Sequence, residues 1–257
     1  GDPQMQAWTE ALGQRTKVPM LLGSLVIEQE PAGGETLYNG VLLVDPKTGV
    51  QLPYYAKRHL VPFGEYLPFE SILGWLRRFE PIGDNQTPGR DPQPLMLHLR
   101  KQPVPVGPLI CYEDIFPNLA VASVRAGAEV LVVATNNAWF GEGGAAYQHA
   151  AHSILRAVET RRPVLRCGNG GWSGWIDEFG SIRAVIKNSA GSIYTRDTQA
   201  ISVYRDARWI GRDSFYVRHG DWFVLVCGGW VLLAYALMRL GRTPVPEIKE
   251  AEPEALP

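Results

Sequence analysis

The chain has 257 residues, 46% of them hydrophobic and 20% charged, enough for one large domain or two small ones with a real core. Its 25 basic and 26 acidic residues leave a net charge of -1, which argues against a nucleic-acid binder, since that needs a basic face. The odd count of three cysteines, Cys111, Cys167 and Cys227, shows no close pairing and excludes a disulfide framework.

The first residue is Gly1, and no secretory signal follows it, so a segment upstream is expected. Residues 5–16 are expected to be helical. The apolar, β-branched run 18–29 is expected to form a buried strand. "PAGGE" is a turn, "TLYNGVLLVDP" a second strand, and "DPKTG" closes a hairpin into "VQLPYYAKRHLVPF". Four prolines make 81–94 a loop. "LMLHLRKQ" and "VPVGPLICYE" are two more strands, followed by a helix in "PNLAVASVRAGA" and a buried strand in "EVLVVATNNA". "YQHAAHSILRAVETRR" is an amphipathic helix with Ile154, Leu155 and Val158 on one side. "PVLRCGNGG", "WSGWIDEFGSI", "RAVIKN" and "QAISVYR" finish the domain as short strands and turns. Alternating strands, helices and hairpins predict an α/β (α+β) sandwich over residues 1–218, with helices covering sheets.

Residues 222–240 form a 19-residue run with no charge before Arg239. That length crosses a bilayer core of about 30 Å at about 1.5 Å per residue. Trp222 and Phe223 mark one edge, and Arg239 and Arg242 the other, which puts the tail on the cytoplasmic side. A transmembrane helix is therefore expected over 219–241 and a disordered Pro- and Glu-rich tail over 242–257. The competing reading is a buried core helix. Within the run, Cys227 reads as a small hydrophobe. Cys167, in "LRCGNGG", carries no arguable chemistry and is expected to be packed away.

Cys111 differs, because it ends an apolar strand just before a helix that begins near Phe116. Backbone N–H groups and the helix dipole there stabilise a thiolate and can hold an oxyanion. A small buried core residue is the alternative. Lys57 and Glu65 lie eight residues apart across "HLVPFG", bent by Pro62 and Gly64 and embedded among Tyr, Leu, Val and Phe. Both fit ordinary surface charges, but a lysine beside a thiolate also fits an oxyanion stabiliser, with the glutamate orienting it. His149 and His152, three apart on one helix, read as packing or surface residues; no metal-ligand cluster is visible, and no cofactor is expected. "SILGWLRRFE" offers Ile72, Leu73, Trp75, Leu76 and Phe79 beside Arg77 and Arg78. This fits either a lid or interfacial helix carried by Trp75 and Phe79, or a core-packed helix with two surface arginines.

"KRHLVPFGEYLP", "ICYEDIF", "TNNAWFGEGGAAYQH" and "RAVETRRPVLRCGNGGWSGWIDEFGSI" together resemble the nitrilase-like domain of the apolipoprotein N-acyltransferase family, in the carbon–nitrogen hydrolase superfamily. The resemblance runs from about residue 5 to the apolar run. It implies a nitrilase-like α-β-β-α sandwich with a Glu–Lys–Cys triad and one C-terminal transmembrane helix. Cys111 matches the nucleophile, Lys57 the triad lysine and Glu65 an additional supporting glutamate. Tyr112 and Glu113 match residues beside the nucleophile, and Asn136, Asn137 and Trp139 match a loop lining the site.

The family's general-base glutamate stands in a Trp-Pro-Glu type strand end, which in this register falls before Gly1. Glu10 sits in the apparent helix and is not assigned that role. The family's N-terminal membrane helices are not in the sequence either, so it reads as the C-terminal part of a longer enzyme. The resemblance implies acyl transfer from a phospholipid donor, through a Cys111 thioester, to a diacylglyceryl-cysteine apolipoprotein. It implies a bacterial inner membrane, with the catalytic domain on the periplasmic side. A membrane-tethered amidase or nitrilase that uses water would share the same residues. Without its base, the chain also fits an inactive lipid-binding module.

Overall fold

The computed structural model describes residues 3–31, 33–78, 85–99 and 102–240. Helix α1 (Pro3–Thr16) leads into a three-stranded antiparallel sheet, β1 (Met20–Gln29), β2 (Glu35–Asp45) and β3 (Gly49–Ala56). The register runs from Met20 opposite Val44 to Gln29 opposite Glu35. The β2–β3 turn forms because the Asp45 carboxylate accepts from the Lys47 and Thr48 N–H groups, and Gly49 takes φ 77°.

Short helix α2 (Glu70–Leu73) and a 3₁₀ turn (Gly74–Arg78) follow. The second sheet has the order β4 (Leu95–His98), β5 (Pro103–Ile110), β6 (Val130–Asn136), β7 (Val164–Asn169), β8 (Gly174–Ile176) and β9 (Ile182–Val185). Strands β5, β6 and β7 are parallel, and the outer pairings are antiparallel. The parallel strands require crossovers. Helices α3 (Pro117–Arg125) and α4 (Ala145–Thr160) supply them.

Two apolar layers hold the domain together. Val41, Leu43, Tyr55, Leu95 and Ile110 meet between the sheets, with Leu21, Ala134 and Cys111 against them. Leu109, Leu131, Val133 and Val164 point the other way, onto Leu119, Val124, Ala150 and Ala157 of α3 and α4. With α1 against β2 and β3, the layers run α-β-β-α. Gly107 permits the tight approach of α3, since a Cβ there would stand 2.8 Å from the Ala128 methyl.

Four expectations are corrected. Strand β1, expected to be buried, has no buried residue, and Leu25 and Ile27 are exposed, because only its first half packs into the inter-sheet layer, through Leu21. Strand β5 ends at Ile110, and Cys111–Ile115 is a 3₁₀ turn that separates it from α3. Residues 199–205, expected among the short strands and turns that finish the domain, form neither; the Arg205 guanidinium instead donates to the Arg161 carbonyl, and the Asp206 N–H to Glu178. Side-chain anchors replace ladder bonds there. Cys167 is exposed rather than packed away. Strand alternation turns Val164 and Arg166 toward α4, so Cys167 faces the opposite, inner side of the sheet.

The compact unit described so far spans Gly1–Arg218, and helix α5 (Phe215–His219) closes it with Val217 fully buried. A second unit, His219–Pro257, contains α6 (Trp222–Leu240), the one described helix long and apolar enough to cross a membrane. None of its residues is buried, unlike a core helix. The expected tail over 242–257 lies outside the described residues.

Candidate active site

The carboxyl ends of β5 and β6 lie side by side, the position where open α/β sheets expose their loops. Cys111 follows β5 directly and takes φ 54°, the left-handed region that costs an L-residue about 1–2 kcal/mol. A strained non-glycine residue persists only where its surroundings hold it. The Glu113 carboxylate, fully buried, is one such hold. It accepts from the Ile110 N–H at 2.7 Å and the Tyr55 hydroxyl at 2.8 Å. It also accepts from the Arg58 and His59 N–H groups at 2.7 and 3.1 Å. One carboxylate thus ties the turn carrying Cys111 to the chain just after Lys57.

Lys57 is fully buried, with its Nζ 2.7 Å from both oxygens of Glu65. Glu65 is oriented in turn by the Asn39 amide at 3.0 Å and the Val61 N–H at 2.8 Å. Nζ lies 5.1 Å from the centre of the Tyr112 ring, and the Tyr112 hydroxyl donates to the Leu60 carbonyl at 2.6 Å. Burial, helped by the Glu65 charge, pushes the Tyr112 phenol up to about 12, so it stays a neutral donor. The structure therefore gathers Cys111, Tyr112, Lys57, Glu65 and Glu113 around one turn.

Asn137, buried, accepts from the Thr135 hydroxyl at 2.9 Å and directs its amide toward His149. Asn136 and Trp139 are exposed on the same loop, Trp139 by 83%. Trp75 is exposed on the 74–78 turn, and none of the residues from Glu70 to Arg78 is buried. Phe79 lies outside the described residues. Glu10 sits on α1 with its carboxylate over Gly49, at the hairpin turn.

The model of the carbon–nitrogen hydrolase family matches residues 2–206. The chain belongs to the carbon–nitrogen hydrolase family. It is 35% identical over 243 residues to the apolipoprotein N-acyltransferase of Geobacter metallireducens, covering 93% of this chain and 43% of that relative. Against the apolipoprotein N-acyltransferase of Chlorobaculum tepidum it is 35% identical over 220 residues, covering 83% and 39%. The chain thus spans about two fifths of the length of these relatives. Among solved structures, Saccharomyces cerevisiae Nit3 superposes with a TM-score of 0.50 at 20% identity, over 71% of this chain and 60% of that one. A mutant of the amidase from Nesterenkonia sp. AN1, with acrylamide added at its active-site cysteine, gives 0.51 at 18% identity, over 71% and 64%. These two likenesses establish the nitrilase fold.

In this carbon–nitrogen hydrolase a further buried layer lies beneath Cys111. Asp114 is fully buried and meets His149 Nε2 at 3.1 Å, the Ser153 hydroxyl at 2.6 Å and the Arg166 guanidinium. Burial alone would raise its pKa, but the His149 hydrogen bond and the Arg166 charge together hold it below the usual value. The sequence does carry a signal for this layer. His149 and Ser153 share the stripe Ala146, Ala150 and Ala157 on α4, where polar residues among alanines need buried partners. Among the described residues, no group of three or more His, Cys, Asp or Glu is arranged to hold a metal. A cleft of about 760 Å³, lined by Tyr38, Tyr54, Glu28 and Arg90, includes none of Cys111, Lys57 or Glu65.

Proposed function

We propose that Cys111 is the nucleophile of a two-step acyl transfer from phospholipid to the N-terminal diacylglyceryl-cysteine of a lipoprotein. The observation that carries this reading is the strained Cys111 turn tied by Glu113 to a buried, glutamate-paired lysine. The name of the 35% identical relatives supports N-acylation of an apolipoprotein, and the phospholipid donor and diacylglyceryl-cysteine acceptor are what the family resemblance implies.

A carboxylate takes the Cys111 proton, and Sγ attacks the ester carbonyl of the donor. Lys57 and the Tyr112 N–H stabilise the oxyanion. The C–O bond breaks, the proton passes to the leaving alkoxide, and a lysophospholipid departs. The lipoprotein α-amine then attacks the thioester, gives its proton to the same carboxylate, and the amide forms as the thiolate leaves. Glu65, Glu113 and Asp114 are each engaged by the partners described above. The family resemblance implies a different carboxylate as base, a glutamate at a Trp-Pro-Glu type strand end. Helix α6 anchors the domain in the bacterial inner membrane, with Arg239 toward the cytoplasm and the catalytic unit on the periplasmic side.

Intact mass of the full-length membrane protein incubated with phospholipid tests this reading. An acyl adduct on Cys111, discharged by a diacylglyceryl-cysteine peptide, is expected. No adduct on wild type, or one that survives Cys111→Ala, sinks the proposal. Discharge by water alone, with the peptide left unmodified, assigns a hydrolase instead. Exposed Trp75 and Ile72 form an apolar lid edge toward lipid. Trp75→Ser is expected to lower turnover on bilayer substrate more than on a soluble ester; equal losses remove the lid role.

A further inference from the structure

His149 is the one described side chain that bonds to the loops following both β5 and β6. Its Nε2 lies 3.3 Å from the Cys111 carbonyl oxygen and 3.1 Å from Asp114 Oδ1. Its Nδ1 lies 3.4 Å from Asn137 Nδ2. The Asn137 carbonyl oxygen already accepts from Thr135, so its N–H donates to Nδ1. Nδ1 is then the acceptor and Nε2 the donor. The Nε2–H is shared between the Cys111 carbonyl and Asp114.

That carbonyl belongs to the same planar peptide as the Tyr112 N–H. In a trans peptide the C=O and N–H point in opposite directions. Drawing the Cys111 oxygen down onto His149 therefore aims the Tyr112 N–H up, away from the buried layer. A hydrogen bond to the carbonyl also polarises the amide and strengthens its N–H as a donor.

The surrounding layer has the character of a device for geometry rather than stability. Arg166 donates from Nη1 to Asp114 and Ser153, while its buried Nε and Nη2 meet no hydrogen-bond partner among the described residues. Unpartnered buried donors are costly. An apolar set of similar volume in place of a buried ion pair is often as stable or more so.

We propose that His149 is a positioning residue that orients the Cys111–Tyr112 peptide, so that the Tyr112 N–H meets the oxyanion of acyl transfer. This rests on the reading of Cys111 as nucleophile. Two reactions of that thiol separate the roles. Acylation passes through an oxyanion; alkylation by iodoacetamide displaces iodide and does not.

The experiment follows both reactions at Cys111 by intact mass, in membranes containing the full-length protein. Loss of one oxyanion donor costs about 10²–10³-fold, so His149→Leu is expected to slow acyl-adduct formation by about that factor. Its rate of iodoacetamide alkylation should stay within about threefold of wild type, because alkylation develops no oxyanion. His149→Gln, whose amide replaces the Nε2 donor, should recover acylation to within about tenfold. His149→Asn, too short to reach the Cys111 carbonyl, should not. If His149→Leu fails to accumulate, the Gln and Asn pair carries the test.

Equal acylation in wild type and His149→Asn overturns the proposal, as does equal loss in the Gln and Asn variants. Parallel loss of acylation and alkylation also overturns it, assigning His149 to holding the turn. A wild type that alkylates at Cys111 but never acylates is a different failure. It removes the nucleophile reading itself, and this inference with it.

Discussion

Lys57 and Glu65 form a two-pronged ion pair, with Nζ 2.7 Å from each carboxylate oxygen, in a site where the lysine is fully buried and the glutamate 14% exposed. The two partners are not equivalent. Glu65 keeps bonds from Asn39 and Val61 if the lysine goes, but among the described residues Nζ has no other hydrogen bond to keep if the glutamate goes.

Glu65→Leu should therefore destabilise more than Lys57→Met. Removing one partner of a buried pair costs about 3–5 kcal/mol, and the upper end of that range is expected for Glu65→Leu. Both variants should lose acyl-adduct formation by at least about 10²-fold, since each removes or misplaces an oxyanion stabiliser. Chemical denaturation of the pair of variants decides the order; equal midpoints contradict the asymmetry.

Glu113 accepts four hydrogen bonds, three of them from backbone N–H groups. Glu113→Gln replaces one accepting oxygen with an amide NH2 that faces donors. The expected cost is about 3 kcal/mol, from lost charge-assisted bonds and unmatched donors. A fall in Tm of several degrees, accompanied by slower alkylation of Cys111, is the expected outcome. A variant with unchanged Tm would show that the clamp is not what holds the turn.

The strands, both large crossover helices and the separate apolar helix were legible because each carries a period of two, a helical stripe or an unbroken apolar run. Lys57, Glu65 and Cys111 stood out as residue types set in unusual surroundings. The Asp114–His149–Arg166 layer did not, because its members come from a turn, a helix and a strand that only the fold brings together. Its one local trace is a histidine and a serine on an alanine stripe. The segment 199–205 alternates like a strand but is held by Arg205 and Glu178, and side-chain anchoring of that kind leaves no period to read. The exposure of Cys167 depends on what covers the inner side of β7, which strand patterns do not encode.

Asp114 makes a pH prediction. Its folded pKa lies below the ordinary 3.8, so its carboxylate contributes stability that is fully present above that value. The contribution is lost as the pH falls from 3.8 through the lower folded value. Asp114→Asn should therefore be less stable than wild type by a constant margin from about pH 5 to 8, and the margin should shrink below about pH 4. Paired denaturation curves across that range are the check. A margin that instead grows toward low pH contradicts the assigned direction.

Cys111 itself separates strain from chemistry. Alanine and glycine both delete the thiol, and neither variant can form an acyl adduct or be alkylated at that position. They differ only in how they tolerate φ 54°. Alanine keeps the Cβ that makes this conformation unfavourable, whereas glycine adopts it freely. Glycine also makes the unfolded chain more disordered, which offsets part of the gain. The net expectation is that Cys111→Gly is more stable than Cys111→Ala by about 0.5–1 kcal/mol, the reverse of the order at an ordinary helix or strand position. Equilibrium unfolding of the two variants measures the difference. If alanine is the more stable, the left-handed turn is not present in the folded protein. The argument that Glu113 holds a strained nucleophile would then lose its premise.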